Sequence, residues 1–232
     1  MNIEEIWKDV LLEDDEHVIG KGGFGKPRGL GSRPALLVID AQPNYVGDNK
    51  PILDQIEEFP TGVGEKAWMA LDKTLPVIEF FREKELPVIF TRQIVKYTQF
   101  DNFAGKKELQ DRSIYEAGHS YTELVSAIEN HPNDIVIDKS YASAFVGTPL
   151  VNYLIKLQVD TLIFCGGVTS GCVRSAVVDA ASLNYKVGIL HECVFDRMEI
   201  SHRVSLLDMW MKYADLLSVD QVFDYINNGG DQ

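Results

Sequence analysis

Short apolar runs of strand length alternate with helix-length segments along most of this chain, and that alternation limits its fold more than any other feature. Residues 35–40 (ALLVID) form a continuous apolar run, as in a strand covered on both faces. Residues 64–84 place Ala67, Trp68, Leu71, Leu75, Ile78 and Phe81 at helical spacing, with Pro76 expected to kink or shorten the helix. The pattern then predicts a strand over 86–91, a helix over 121–130 and a strand over 134–138. It continues with a helix over 149–157, a strand over 161–166, a helix over 171–183 and a strand over 186–191. A helix over 200–213, a short strand near 216–219 and a closing helix to about 227 complete it. Strands separated by helices predict an α/β fold: a three-layer α-β-α sandwich around a six-stranded, mainly parallel sheet. Such sheets bind ligands at the carboxyl ends of their strands.

Residues 1–33 stand outside this rhythm and read as an N-terminal arm, with a single domain over 34–232. A short acidic amphipathic helix with Ile6, Val10 and Leu11 on one side leads into glycines 20, 22, 23 and 25. A phosphate loop needs a strand before such glycines and a helix after them; charged residues precede and a strand follows. The arm is therefore expected to pack on the body or on a neighbouring subunit. The first strand is not followed by Gly-x-Gly-x-x-Gly, which counts against a nucleotide-binding domain. Residues 94–120 are polar, aromatic and irregular, an insertion of the kind that covers active sites.

With 45% hydrophobic and 25% charged residues, the 232-residue chain has the composition of a soluble globular protein. Its net charge of −13 opposes nonspecific binding to nucleic acid or to anionic membranes. No apolar stretch reaches the ~18 residues that span a bilayer, and no basic segment followed by an apolar one marks a signal peptide. The three cysteines, Cys165, Cys172 and Cys193, show neither disulfide nor zinc spacing. A reducing cytoplasm is the expected location, and there a thiol stays usable.

Three candidates for chemistry fall just past the ends of separate strands: Asp40, Lys139 and Cys172. Cys172 follows the turn 166–171 (GGVTSG) as the first residue of a predicted helix, where unpaired N–H groups and the helix dipole favour a thiolate. The same N–H groups suit an oxyanion. A carboxylate near the thiol can take its proton, and a lysine can offset negative charge. Singly, each has a structural explanation: a turn or cap for the Asp, a solvated strand end for the Lys, an apolar core for the Cys. Their convergence on one sheet edge favours function. Cys165, within a strand, is expected in the core; Cys193 and His191 lie near the same edge. The five histidines show no ligand spacing.

These residues and their flanks resemble the isochorismatase-like cysteine hydrolase superfamily. The likeness rests on 36–42 (LLVIDAQ), 138–148 (DKSYASAFVGT) and 166–175 (GGVTSGCVRS). It implies Asp40 as base, Lys139 as its charged partner and Cys172 as nucleophile. It further implies a cis peptide at Val168–Thr169, oxyanion donors on Val168 and Cys172, and a homotetramer. Nicotinamidases of this family bind a metal through Asp-x-His after the second strand; residues 91–97 (TRQIVKY) carry no such ligands, so neither metal nor cofactor is expected. The closer likeness is to N-carbamoylsarcosine amidohydrolases and maleamate-hydrolysing relatives, through 23–25, 30–34, the ASAFVGT stretch and Asp196-Arg197. It implies that Arg197 holds a substrate carboxylate, although an ion pair with Asp196 or Glu199 would also explain that arginine. The expected substrate is a small carboxylated amide or carbamoyl compound. Maleamate, ureidoacrylate, biuret or nicotinamide-like substrates, or a catalytically silent small-acid-binding member, are the alternatives to an N-carbamoylsarcosine-like substrate.

Overall fold

The structure is a computed structural model of the chain, and it describes residues 3–97, 112–129 and 131–229. Six strands form one sheet: β1 (Pro34–Ile39), β2 (Val88–Gln93), β3 (Ile135–Lys139), β4 (Thr161–Gly167), β5 (Lys186–Phe195) and β6 (Asp215–Leu217). Their order is β3-β2-β1-β4-β5-β6, with every neighbouring pair parallel. The chain fills one half of the sheet with β1 to β3, then crosses β1 to begin the other half at β4. The crevice where the order reverses thus lies between the ends of β1 and β4, the place where such sheets bind ligands.

Strand β1 is buried along its whole length, and its alternation divides the interior. Ala35, Leu37 and Ile39 join one core with Leu150 and Leu154 of α4 (Leu150–Lys156), Ala176 and Val177 of α5 (Arg174–Ser182), and Leu206 of α6 (Glu199–Lys212). Leu36 and Val38 join the other with Leu71, Ile78 and Phe81 of α3 (Glu65–Glu83) and Val222 of α7 (Val219–Asn227). Helices on both faces make the expected three layers. Among the described residues, no helix is long and apolar enough to cross a membrane.

Several expectations need correction. Pro76 does not shorten α3, which continues to Glu83. Val77, Ile78 and Phe81, just beyond the proline, are all buried, and that packing sustains the helix past a residue that costs about 3 kcal/mol in a helix interior. No α-helix forms over 121–129. A 3₁₀ turn, Ser120–Thr122, is followed by turns. Val125 N–H donates to Ala41 O and Gln42 Nε2 donates to Thr122 O, so tertiary bonds take the groups a helix would use. The predicted N-terminal helix is two 3₁₀ turns, Ile3–Ile6 and Lys8–Val10, with an α-helix, α1 (Asp15–Gly22), only after them. The arm packs on the body of its own subunit: Trp7 is buried with its ring centroid 4.9 Å from that of Trp210. The Arg28 and Gly29 N–H groups donate to the Asp215 carboxylate. Of the expected insertion, residues 98–111 lie outside the described residues.

Candidate active site

The site grows from the end of β1. Asp40 has φ +46°, in the left-handed region that aspartate tolerates better than most residues, and its side chain is fully buried. Thr91, on the neighbouring β2, accepts from the Asp40 N–H at 3.2 Å and donates its hydroxyl to Asp40 Oδ1 at 2.6 Å. Asp40 Oδ2 faces Lys139 Nζ at 2.7 Å, with both side chains inaccessible to solvent, and accepts no further hydrogen bond.

Lys139 comes from the edge strand β3, two strands from Asp40, and reaches the site across the end of β2. The register pairs it with Gln93. Its Nζ donates to Gln93 Oε1 at 2.7 Å and to Tyr141 O at 3.2 Å. Asp40 Oδ2, at 2.7 Å, is its ion-pair partner. Burial alone would lower its pKa; the neighbouring carboxylate of Asp40 leads the opposing contributions, which together raise it above the ordinary lysine value. Gln42 completes the frame, taking the Gln93 N–H on Oε1 at 2.7 Å.

Cys172 arrives from β4. Gly166 has φ +93°, and a Cβ there would sit 2.1 Å from Ile39 O, so only glycine lets β4 run this close to the end of β1. The cis peptide bond is Gly167–Val168, one residue before the expected Val168–Thr169. Cys172 is not the first residue of an α-helix either: it lies in a π turn, Thr169–Val173, and α5 begins at Arg174. Gly171 and Val173 N–H both donate to Val168 O, and Ser170 N–H donates to Asp196 Oδ2. Those three bonds leave out the N–H groups of Val168 and Cys172.

Asp40, Lys139 and Cys172 come together at one sheet edge, close enough that both ionic groups act electrostatically on the thiol. The expected thiolate is not what the surroundings favour. Burial pushes the thiol up to about 12, against the opposing pull of Lys139, and the negative charge of Asp40 adds to the rise. Enclosure outweighs the lysine, so the resting group is a thiol that needs a base.

Arg197 follows directly on β5, which extends to Phe195 rather than ending at 191. Its Nη1 donates to Thr61 O at 2.7 Å, and among the described residues no carboxylate forms an ion pair with it. Asp196 binds its backbone N–H instead, at 2.8 Å, while Glu199 pairs with Lys66 and Arg203. The phenol of Tyr45 is pushed well above its ordinary value by burial first, with Cys172 and Asp40 adding to the rise and the Arg197 guanidinium opposing it. Tyr115, buried, meets Thr61 Oγ1 at 2.5 Å. Sequence reasoning missed Thr91, Gln93, Tyr45, Thr61 and Tyr115; only Thr91 and Gln93 carry a signal, as polar residues ending an apolar strand.

Cys165 lies in the core as expected, its Sγ 3.9 Å from Leu37 O. Cys193 is buried within β5, in the core shared with α3. His191 lies on the same strand, its pKa lowered by burial. Among the described residues, no three His, Cys, Asp or Glu side chains gather as ligands for a metal ion.

Comparison with known proteins matches residues 34–221 to the isochorismatase domain family. The chain is 29% identical over 203 residues to maleamate amidohydrolase from Pseudomonas putida, covering 85% of this chain and 89% of that protein. It is 26% identical over 226 residues to N-carbamoylsarcosine amidase from an Arthrobacter species, covering 93% and 80%. The crystal structure of a cysteine hydrolase from Pseudomonas syringae pv. phaseolicola superposes with a TM-score of 0.71 at 19% identity, covering 88% and 99%; it shares the fold. The chain belongs to the isochorismatase family.

Proposed function

We propose that this isochorismatase-family amidohydrolase releases ammonia from a small amide or N-carbamoyl compound that carries a carboxylate, through a thioester on Cys172. One observation carries the reading: a fully buried Asp40–Lys139 ion pair set against a buried thiol. Neither charge serves packing there, whereas a thiol held protonated needs a base beside it.

Asp40 accepts the Cys172 proton as Sγ bonds to the carbonyl carbon, and the carbonyl π pair moves to oxygen. The N–H groups of Val168 and Cys172 hold that oxyanion. As the tetrahedral adduct collapses, the C–N bond breaks and the nitrogen takes the proton from Asp40, leaving as ammonia. Asp40 then takes a proton from water, whose oxygen attacks the thioester; the acid forms and the thiol is restored. Lys139 keeps the Asp40 site charge-balanced throughout. Arg197 holds the substrate carboxylate, for which a planar guanidinium is suited. This assignment is supported by the absence of an ion-pair partner for Arg197 among the described residues.

The names of the relatives, maleamate amidohydrolase and N-carbamoylsarcosine amidase, agree with a carboxylated substrate. The test is an ammonia-release screen over N-carbamoyl amino acids, including N-carbamoylsarcosine, with maleamate, ureidoacrylate, biuret and nicotinamide. Cys172→Ala should abolish release while retaining the fold, and Arg197→Ala should raise KM at least 10-fold for carboxylated substrates only. Turnover retained without the thiol would sink the scheme; an equal loss on biuret and nicotinamide would remove Arg197 from carboxylate binding. The same reading takes residues 34–232 as the catalytic domain, the assembly as a homotetramer and the location as a reducing cytoplasm. Three free thiols support the last, and sedimentation of the purified protein tests the assembly.

A further inference from the structure

Asp196 links two parts of the site that come from different segments of the chain. It is 5% exposed, and no cation pairs with it among the described residues. Its two carboxylate oxygens are divided. Oδ2 accepts the N–H of Ser170, in the turn that presents Cys172, at 2.7 Å; Oδ1 accepts the N–H of Arg197 at 2.8 Å. A second contact runs alongside: Thr169 Oγ1 donates to Phe195 O at 3.1 Å and lies 2.8 Å from His202 Nδ1. Burying a carboxylate without a counter-ion is costly, and two charge-assisted bonds from backbone N–H groups are what offset it. A side chain needed only to cap the corner after β5 would have no use for the amide of the nucleophile turn.

We propose that Asp196 is a positioning residue for the reaction: it sets the separation between the Cys172 thiol and the Arg197 guanidinium, and so the length of substrate that both can hold at once. The proposal rests on the reading of Cys172 as nucleophile and Arg197 as carboxylate anchor. A displacement of about 1 Å between such groups costs on the order of 100-fold in rate, so one carboxylate holding both backbones gives the site its selectivity for substrate length.

The experiment needs no knowledge of the substrate. Iodoacetate and iodoacetamide alkylate a thiol at the same carbon: the S–C bond forms, iodide leaves and the thiol proton passes to Asp40. They differ in the carboxylate. The ratio of their rates at Cys172, followed by peptide mass spectrometry on the full-length protein, reads how well Arg197 is placed relative to the nucleophile. Arg197→Ala should lower the iodoacetate-to-iodoacetamide ratio about 10-fold. Asp196→Asn, which keeps the shape but turns a donor toward one of the two amides, should lower it similarly, and the double variant should fall no further. A charge effect alone points the other way, because removing a negative charge near Arg197 favours the anionic reagent. Should the Asn variant not fold, Asp196→Glu keeps the charge and lengthens the arm; positioning predicts a lowered ratio and a charge effect predicts none. A ratio at or above the wild-type value in the folded Asp196 variant, with Arg197→Ala lowered, overturns the proposal and leaves the anchor reading standing. An unchanged ratio in Arg197→Ala overturns both.

Discussion

A lysine and an aspartate with no solvent exposure persist in a protein interior only as partners. Lys139 donates to Gln93 Oε1 and Tyr141 O, and its charge is matched by Asp40 at 2.7 Å. Asp40 is matched on Oδ1 by Thr91, while Oδ2 faces only the Lys139 ammonium. Removing one partner exposes this dependence. Lys139→Met should cost about 3–5 kcal/mol in urea unfolding, because it strands a buried carboxylate. Asp40→Asn combined with Lys139→Met should cost clearly less than the sum of the single changes. Additive losses would mean that the two groups are not energetically coupled.

At the scale of the elements, the decisive feature is the end of β4. Gly166 brings the strand against Ile39, and a Cβ on Gly167 would meet the Phe195 ring. These two residues let the turn that carries Cys172 settle between β1 and β5, near Asp40 on one side and Asp196 on the other. Gly166→Ala combines a left-handed φ with overlap on the Ile39 backbone, and it should destabilise the protein by about 3 kcal/mol or more. A urea midpoint unchanged from wild type would show that the β1–β4 approach tolerates a side chain. The π turn is legible only in three dimensions. The sequence of small residues predicts a turn before a helix, but the placement of Cys172 within that turn depends on Val173 N–H reaching back to Val168 O and on Asp196 capturing Ser170.

Across the whole molecule, the sheet buries all three thiols in neutral form. Burial raises Cys165 well above its ordinary value and pushes both Cys172 and Cys193 up to about 12. A group whose folded pKa is raised contributes stability below its unfolded value and loses it as pH climbs toward the folded one. The unfolded thiols begin to ionise near pH 8.5–9, so stability against urea should decline from there toward pH 12. Cys193→Ala should flatten that decline without touching the triad; an identical slope would mean that the Cys193 thiol does not contribute. The arm also acts at this scale. Trp7 against Trp210 and the amides of Arg28 and Gly29 on Asp215 join the first thirty residues to α6 and β6, so the arm is part of the domain's own packing.

The sequence by itself determined the layered architecture, because a strand buried on both faces must read as a continuous apolar run and a helix on its face must repeat every three to four residues. It also determined that Asp40, Lys139 and Cys172 share an edge, because parallel strands place all their carboxyl ends on one side. What it left open follows from contacts between distant segments. Residues 121–129 have the composition of a helix but give their hydrogen bonds to the loop after β1. The protonation state of Cys172 depends on enclosure, which no local spacing records, and enclosure outweighs the pull of Lys139 toward thiolate. Tyr45, Thr61, Tyr115 and Asp196 come to the site only because separate loops close over one crevice, and only the tertiary structure decides which loops meet there.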